Sequence, residues 1–546
     1  MGCRTDLVPH LHHTAGHCRP ERPETEDPLR HWRDHLPPGI DIDPVELVAS
    51  GTLPRAWSDR WRAAPEAPLW KAPSGSGGAP GGSQGRAGRM AQGRWWTAGE
   101  FESATRRVAG RLRGAGLVPG DRVVWSTASS IPALVAHVAA LRAGLVVVPA
   151  NVAYSERELA HVVLDARPVA AIVDRVEQAD WIRRASAGAV QVVHTDVDLP
   201  DADAGPLDEA GPDDPALICY TSGTTGAPKG AVLRHRNLLA AAESVRVAWR
   251  WEPDDRLVHA LPVFHAHGLC VGVYGTLLAG ASAVLLPGFE PDALAEAAQA
   301  EHASLFFGVP TMYHRLLRSG RAPELGRTRL CVSGSAPLSS ELHAAASEAI
   351  GSPVLERYGM TETLMNVSNP YAGIRRAGTV GFPLPGVEVR LATDDEIHVR
   401  GPNVFDGYWE RPAATAESFT PADDGGPPWF RTGDLGVDDD GYLVLRSRSK
   451  ELIISGGFNV YPAEVEDVLA GHPRVAEVAV SGTPSEEWGE VVTAWVVAEG
   501  APPSVGDLTD FASETLVSYK RPRIVHIVDQ LPRNALGKVV RSQLGQ

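Results

Sequence analysis

The sequence predicts an α/β protein in which a large N-terminal domain of parallel sheets covered by helices is followed by a small, mobile α+β domain. Strand-like apolar runs alternate with helical patterns between Phe101 and Val332, as in parallel sheets with helices on both faces. After Glu396 the pattern changes to short strand-like runs separated by turns. A chain of 546 residues also exceeds what one hydrophobic core usually supports. We therefore expect at least two domains.

The first 40 residues are rich in His, Pro, Arg, Glu and Asp and have no sustained period, which predicts a disordered tail. Potential transition-metal donors occur there, namely His10, His12, His13, His17 and Cys18. No structure is predicted around them, so we assign them no function. The large domain is expected over residues 41–447. Within it, residues 73–88 form a Ser/Gly-rich insertion that predicts a flexible surface loop.

The first clear helix follows the segment Trp95–Glu100. Its apolar residues share one face of an amphipathic helix, and they are Phe101, Ala104, Val108 and Leu112. The strand-like runs that follow are Arg122–Trp125, Leu145–Val148, Val169–Val173, Leu257–Leu261, Ala283–Leu286, Ser304–Phe307 and Leu330–Val332. Functional sites in such folds collect at the carboxyl ends of the strands.

A glycine-rich stretch, Tyr220–Gly230, lies between two apolar runs and predicts a loop between two strands. Its glycines leave backbone N–H groups unobstructed, its Ser and Thr residues add hydroxyl donors, and Lys229 adds a cation. The spacing differs from a Walker A loop, because Lys229 is not followed by Ser or Thr. Such stretches are often ordinary turns, but the density of donors here predicts an anion site.

Charge and composition exclude several classes of protein. The net charge of -16 argues against a nucleic-acid partner, which would require a basic face. Five cysteines without CxxC spacing indicate reduced thiols and a cytoplasmic protein. The most apolar window, Ile131–Ala150, contains His137 and Arg142 and does not predict a membrane span, and the N-terminus lacks the apolar core of a secretion signal.

Seven motifs in a fixed order resemble those of the adenylate-forming superfamily, which includes acyl-CoA synthetases, luciferases and the adenylation domains of peptide synthetases. The motifs are Tyr220–Gly230, Leu261–Gly268, Val332–Pro337, Glu356–Thr363, Thr432–Asp434, Arg448 with Lys450, and Leu531–Lys538. The resemblance covers residues 45 to 546. One motif alone would be weak evidence, whereas all seven in order make another superfamily very improbable.

The resemblance implies ATP, Mg²⁺ and CoA as cosubstrates and cofactor. It implies that the β- and γ-phosphates are held by Thr221, Ser222, Gly223, Thr224, Thr225, Gly226 and Lys229. Glu362 would hold Mg²⁺, a hard cation that prefers carboxylate and phosphate oxygens, and Thr361 would donate its hydroxyl to the α-phosphate. Taken singly, Glu362 would be an ordinary solvated carboxylate.

The remaining roles follow from the same resemblance. The adenine slot would be formed by Gly334, Ser335, Ala336 and Tyr358, and the ribose would be bound by Asp434 with Arg448 beside it. Lys538, on a loop of the small domain (residues 448–546), would bridge the substrate carboxylate and the α-phosphate. That domain would rotate about Lys450, after which Gly456 and Gly457 would line the CoA channel.

Within the superfamily, the chain is most similar to the malonyl-CoA and methylmalonyl-CoA synthetases, a similarity carried by Leu261–Leu269, Gly308–Arg315, Glu356–Asn366 and Asn369–Gly381. A dicarboxylate needs a second cation in the acyl pocket, for which Arg315 is the candidate, and His265 is expected beside the acyl carboxylate. Arg315 is equally compatible with an ordinary helix surface. Departures such as Ser447 and Glu451, where Gly and Asp are common, leave three alternatives open: another carboxylic acid, transfer to a carrier protein or an amine, or a non-catalytic scaffold.

Overall fold

The computed structural model describes residues 29–73, 93–221, 228–448, 451–455, 458–485, 488–534 and 537–545. The strands of the large domain are β1 Pro68–Lys71, β2 Trp95–Thr97, β3 Arg122–Ser126, β4 Val146–Pro149, β5 Ala170–Val173, β6 Gln191–His194, β7 Pro215–Thr221, β8 Lys229–Arg234, β9 Arg256–His259, β10 Ser282–Leu285, β11 Leu305–Gly308, β12 Leu330–Ser333, β13 Leu355–Tyr358, β14 Val367–Ser368, β15 Phe382–Pro383, β16 Glu388–Leu391, β17 Glu396–Arg400, β18 Gly407–Tyr408, β19 Phe419–Thr420, β20 Trp429–Asp439 and β21 Tyr442–Arg448. Its helices are α1 Leu53–Ala63, α2 Ala98–Gly114, α3 Ile131–Arg142, α4 Glu156–Ala166, α5 Val176–Ala185, α6 His235–Ala248, α7 Tyr274–Ala279, α8 Pro291–Ala300, α9 Pro310–Arg318, α10 Ser340–Ile350 and α11 Pro412–Glu417, with a π-helical turn at His267–Val273 before α7.

Three sheets organise the large domain. The first has the order β15-β14-β13-β12-β11-β9-β10-β1-β2 and is parallel from β13 to β1. The second has the order β18-β8-β7-β4-β3-β5-β6 and is parallel from β7 to β6. The third is an antiparallel sheet of β16, β17, β20, β19 and β21. The predicted fold class and all seven predicted strand runs are confirmed.

Helices α2 and α3 show how the sequence sets the local structure. Thr97 and Glu100 form a reciprocal capping box that starts α2 where the apolar face begins. Helix α3 is buried on nearly every side, which explains its continuous apolar sequence. Its one buried arginine, Arg142, forms ion pairs with Asp208 at 3.1 Å and Glu102 at 3.2 Å. No helix within the described ranges is long and apolar enough to cross a membrane.

The segment before residue 41 corrects part of the predicted tail. Residues 29–40 pack against the large domain, with Trp32 and His35 buried and the His35 ring 4.2 Å from the ring of Phe382. Two aromatic anchors therefore order a stretch whose average composition is polar. The average composition of the first 40 residues does not reveal these two side chains.

The small domain has its own core and sheet. Its elements are α12 Pro462–Ala470, α13 Val505–Ser513, β22 Ile453–Ser455, β23 Phe458–Val460, β24 Val475–Ser485, β25 Gly489–Ala498 and β26 Ile524–Ile527. The sheet order is β23-β22-β25-β24, with β26 parallel to β25. The proposed boundary at residue 447 lies one residue before β21 ends, and the small domain's sheet begins at Ile453.

Three cysteines in the described ranges, Cys219, Cys270 and Cys331, are free thiols buried in the large domain. Burial raises the pKa of Cys219 and of Cys331 to about 12. These thiols therefore stay protonated at neutral pH.

Candidate active site

The predicted anion loop joins β7 to β8, an antiparallel pair in which Thr221 lies opposite Lys229. Ser222, Gly223, Thr224, Thr225 and Gly226 lie outside the described residues. Gly230 is required where the hairpin packs closely, because a Cβ there would lie 2.6 Å from Ile218 Cγ2. The placement of a glycine-rich loop between two strands is thus confirmed, and Lys229 stands at its downstream end.

Lys229 lies close to the predicted metal ligand. Its Nζ is 4.4 Å from the centroid of the Tyr408 ring, and the Tyr408 hydroxyl donates to Glu362 Oε1 at 2.9 Å. Tyr408 lies on β18, which pairs with β8 opposite Ala231. The fold thus brings together the cation and the carboxylate that the sequence separates by 133 residues. Sequence reasoning missed Tyr408, whose two-residue strand has no periodic signal.

Glu362 suits a magnesium ion. Its side chain is buried, and its carbonyl oxygen accepts a hydrogen bond of 2.9 Å from the Phe405 N–H, which fixes the backbone. A buried carboxylate beside a lysine at the end of an anion loop has the hard oxygen donors that Mg²⁺ prefers when phosphate oxygens supply further ligands. Thr361, next to it, is partly buried.

The predicted nucleotide slot is assembled at the carboxyl ends of β12 and β13. Ser335 has a left-handed backbone with φ of 71°, which is unusual for a residue with a side chain. The hydroxyl of Tyr358 donates to Asp434 Oδ2 at 2.6 Å, and both side chains are buried. Asp434 lies opposite Arg448 in the β20–β21 pair. The structure thus joins the predicted base platform to the predicted ribose acceptor.

A buried arginine borders this slot. Arg357 is 5% exposed, and among the described residues its Nε and Nη2 atoms have no hydrogen-bond partner. Burial lowers its pKa to about 9, so that it remains a cation at neutral pH. A Cβ at Gly334 would lie 2.4 Å from Arg357 Nε, so any side chain there would force this arginine to move. Sequence reasoning assigned Arg357 no role, although it lies inside the recognised motif Glu356–Thr363.

Two histidines lie near this guanidinium. The backbone N–H of His267 donates to His265 Nδ1 at 3.3 Å, and the Nδ1 atom of His267 hydrogen-bonds to Ser335 Oγ at 3.2 Å. Burial, then the charge of Arg357, lowers the pKa of His265 to about 4 and that of His267 well below its ordinary value. Both rings are therefore neutral at neutral pH and serve as hydrogen-bonding groups rather than cations.

Arg315 borders a separate cleft of about 380 Å³, whose walls include Thr311 and Gly537. Its side chain is half-exposed and already pairs with Glu290 at 3.1 Å, while its guanidinium carbon lies 4.9 Å from the Phe289 ring centroid. Arg315 therefore reaches the cleft. A substrate carboxylate would first have to displace Glu290 from it.

The small domain reaches this cleft through the loop that carries Lys538. Gly537 has φ of 76°, and a Cβ there would lie 2.9 Å from Thr311 Oγ1 of the large domain. The Lys538 N–H donates to Asn534 Oδ1 at 3.0 Å, which holds the loop closed. Lys450, Gly456 and Gly457 lie outside the described residues, as does the side chain of Arg448.

Comparison with known proteins assigns the family. Residues 83–409 match the AMP-binding enzyme family, and residues 464–538 match the C-terminal domain of AMP-binding enzymes. The chain belongs to the AMP-binding enzyme family. This AMP-binding enzyme is 35% identical to the malonate–CoA ligase ACSF3, mitochondrial, of Mus musculus, over 80% of this chain and 83% of that protein. It is 36% identical to the feruloyl-CoA synthase of an Amycolatopsis species, over 82% of this chain and 93% of that protein.

A solved structure, ATP-bound MatB from Rhodopseudomonas palustris, is similar to this AMP-binding enzyme with a TM-score of 0.81 and 38% identity, covering 90% of this chain and 97% of that one. The predicted superfamily and the predicted acid–thiol ligase class are thereby confirmed. These relatives are named for chemically different acyl groups, a feruloyl and a malonyl group. The comparisons therefore do not identify the acyl substrate of this enzyme.

Proposed function

We propose that this enzyme joins a small dicarboxylate, malonate or methylmalonate, to CoA in two steps that use ATP. In the first step, a substrate carboxylate oxygen attacks the α-phosphorus of ATP, and pyrophosphate leaves. In the second step, the CoA thiolate attacks the acyl carbonyl carbon of the adenylate, and AMP leaves. The first step is a displacement at phosphorus, the second is an addition to the carbonyl carbon followed by expulsion of AMP, and no redox change occurs.

The first step brings two anions together, so the site must neutralise charge. Lys229 and the loop from Thr221 to Gly226 would hold the β- and γ-phosphates. Glu362 would hold Mg²⁺, which neutralises phosphate charge when bound, and the Thr361 hydroxyl would donate to the α-phosphate. The hydrogen bond from Tyr408 to Glu362 supports this arrangement, because it fixes the carboxylate near Lys229.

The other nucleotide and transfer roles follow the superfamily. Gly334, Ser335, Ala336 and Tyr358 would hold the adenine ring, while Asp434 and Arg448 would bind the ribose. Lys538 would bridge the carboxylate and the α-phosphate in the first step, which its place beside the cleft supports. Rotation about Lys450 would then present Gly456 and Gly457 to CoA.

The preference for a dicarboxylate rests on Arg357. A buried cation with two unpaired N–H donors is costly unless a ligand supplies an anion, and the second carboxylate of malonate would do so. An aromatic acyl group such as a feruloyl group carries no second carboxylate that could pair with this guanidinium. His265 would lie beside the same carboxylate. Arg315, predicted from sequence, is the alternative cation, and it would first have to leave Glu290.

The deciding experiment is ATP–pyrophosphate exchange with matched mono- and dicarboxylates. Arg357→Met should cost about 2–5 kcal/mol for malonate, because the variant leaves a buried carboxylate unpaired. That cost is a fall in kcat/KM of roughly 30-fold or more. Propionate should be affected far less. Arg315→Ala is the matched variant, and it shows the selective loss instead if Arg315 is the cation.

Other results would redirect the proposal. Equal losses for malonate and propionate in both variants would refute the dicarboxylate assignment while leaving adenylate formation intact. A wild-type preference for an aromatic acid would do the same. Exchange without thioester formation from CoA would favour a carrier protein or an amine as acceptor, and the absence of exchange with any acid would favour the scaffold alternative.

We also propose a cytoplasmic location. The free, buried thiols of Cys219, Cys270 and Cys331 support a reducing compartment. Because the mouse relative is named as mitochondrial, cell fractionation with a mitochondrial marker is the appropriate test.

A further inference from the structure

Three arginines surround one tyrosine ring on the large domain, in a group that we name the Tyr371 cluster. The guanidinium carbons of Arg250 and Arg329 both lie 5.1 Å from the centroid of the Tyr371 ring, and that of Arg375 lies at 6.0 Å. All four side chains are only partly exposed. Three cations are thus held around a single aromatic ring in a protein whose net charge is -16.

Within the described residues, only one of the three arginines of the cluster forms an ion pair with a carboxylate. Arg329 pairs with Asp255 through the Nε and Nη2 atoms of one guanidinium edge, with Nε to Oδ1 at 2.7 Å. Arg375 donates to the carbonyl oxygens of Pro353, Pro370 and Tyr371, which satisfies its N–H groups but does not neutralise its charge. Burial, and then the neighbouring Arg329, lowers the pKa of Arg375.

Arg250 contacts the Tyr371 ring but is not paired with an acid in the described chain. Among the described residues its guanidinium makes no ion pair and no hydrogen bond, and its Nε atom is buried without a partner. Its backbone is left-handed, with φ of 51°, and its carbonyl oxygen accepts a 2.8 Å hydrogen bond from Arg329. The backbone is thereby held where the side chain reaches Tyr371. Like charges around one ring repel each other, so an anion bound beside them would lower the free energy.

The cluster is separate from the candidate active site. Arg250 precedes β9, and Arg329 precedes β12, so both stand at the amino ends of these parallel strands. His265 and Gly334 follow the carboxyl ends of the same strands. Four-residue strands span about 13 Å, so the cluster and the nucleotide slot lie at opposite edges of the sheet.

We propose that the Tyr371 cluster is a binding site for a phosphoryl-type oxyanion, such as inorganic phosphate or pyrophosphate. Guanidinium groups match the oxygens of such anions geometrically and hold them through charge-assisted hydrogen bonds. With one cation already neutralised by Asp255, two positive charges remain, which matches a dianion. Arg250 supplies N–H donors that have no partner within the described chain.

The test is titration calorimetry of the full-length protein with inorganic phosphate and, separately, with pyrophosphate. Chloride keeps the ionic strength constant, so that screening does not change between injections. Arg250→Gln should weaken phosphate binding about tenfold or more, because it removes one charge-assisted contact. Arg157→Gln, at an exposed arginine of α4, is the matched control and should bind phosphate like the wild type. Equal losses for both anions would show that the site accepts either one, and a loss confined to phosphate would identify phosphate as the occupant.

A second variant separates a binding defect from a folding defect. Arg250→Lys keeps the charge but removes the Nε donor, so its affinity should fall between those of the wild type and Arg250→Gln, with an unchanged Tm in chloride buffer. Equal affinities in Arg250→Gln and the wild type would overturn the proposal. The absence of saturable phosphate binding by the wild type, or an equal loss in Arg157→Gln, would overturn it as well.

Discussion

At the scale of single residues, the site depends on side chains that bring distant motifs into contact. Tyr408 connects Lys229 to Glu362, and Arg357 borders the slot made by Gly334 and Tyr358. The motif residues could be predicted from sequence because their types and order are specific. The connecting residues Tyr408 and Arg357 could not be predicted. A motif does not determine the direction of a strand side chain, nor which short strand pairs beside it.

Lys229 gives the first prediction. Lys229→Ala should lower kcat/KM for ATP by roughly tenfold to a hundredfold, since a charge-assisted contact to phosphate is worth about 1.5–3 kcal/mol. Pyrophosphate exchange measures the effect. Lys71→Ala is the control, because Lys71 pairs with Glu301 at 2.7 Å outside the site and should leave ATP kinetics unchanged. Unaltered ATP kinetics in Lys229→Ala would remove Lys229 from the phosphate site.

Glu356 gives a prediction about pH. Burial raises its pKa to about 8, and the charge of Asp467 in the small domain adds to the rise. The folded state therefore keeps a proton that the unfolded state releases near pH 4.5, so stability from this group is full below pH 4.5 and declines as the pH rises toward 8. The decline is on the order of 1 kcal/mol per pH unit.

Glu356→Gln should abolish this contribution, so the stability difference between wild type and variant should change steadily between pH 5 and pH 8. Urea unfolding at several pH values measures it. A difference that is constant across this range would show that Glu356 is ionised in the folded protein.

At the scale of elements, strands were the most predictable feature. Val146–Pro149 and Leu330–Ser333 are buried on both faces, so their sequences are continuous apolar runs of the kind that marks parallel sheets. The two-residue strands β14, β15, β18 and β19 could not be predicted, because pairing with neighbours rather than local sequence defines them.

The turn into β15 gives the third prediction of this series. Gly381 has φ of 90°, and a Cβ there would lie 2.0 Å from the carbonyl oxygen of Ser368. Gly351, which ends α10, has φ of 82° but has open space around it. Both Gly→Ala variants incur a left-handed penalty of about 1–2 kcal/mol, and only Gly381→Ala adds a clash with backbone. The free energy of unfolding should therefore fall by roughly 2 kcal/mol more in Gly381→Ala than in Gly351→Ala. Equal losses in the two variants would contradict the described turn.

At the scale of the whole molecule, the division into two domains was predictable from length and from the change of pattern near Glu396. The ordered segment at residues 29–40 was not, because its contacts depend on single aromatic side chains in a polar context. The position of the small domain could not be predicted from sequence either, because a loop motif does not identify the residues that the loop contacts. The contact of Gly537 with Thr311 supplies that information.

The proposed rotation of the small domain predicts separable half-reactions. Lys538→Ala should abolish adenylate formation, because the cation proposed to bridge the carboxylate and the α-phosphate is lost, yet a supplied acyl-adenylate should still react with CoA. Gly457→Trp, at a position outside the described residues, should spare pyrophosphate exchange and block thioester formation. Single-turnover assays of each step measure both. Equal impairment of both steps in both variants would contradict a rotating small domain.

The burial of Cys219, Cys270 and Cys331 makes this enzyme a convenient subject for site-directed fluorescence. A maleimide dye reacts with thiolates, and burial raises the pKa of all three thiols, to about 12 for Cys219 and Cys331, so almost none is ionised at neutral pH. Once Cys3 and Cys18 are replaced, a donor and an acceptor dye can be attached at introduced cysteines on exposed positions of the two domains, for example R318C and E514C. Energy transfer between the dyes would then follow the small domain through each turnover, without removing any thiol of the core.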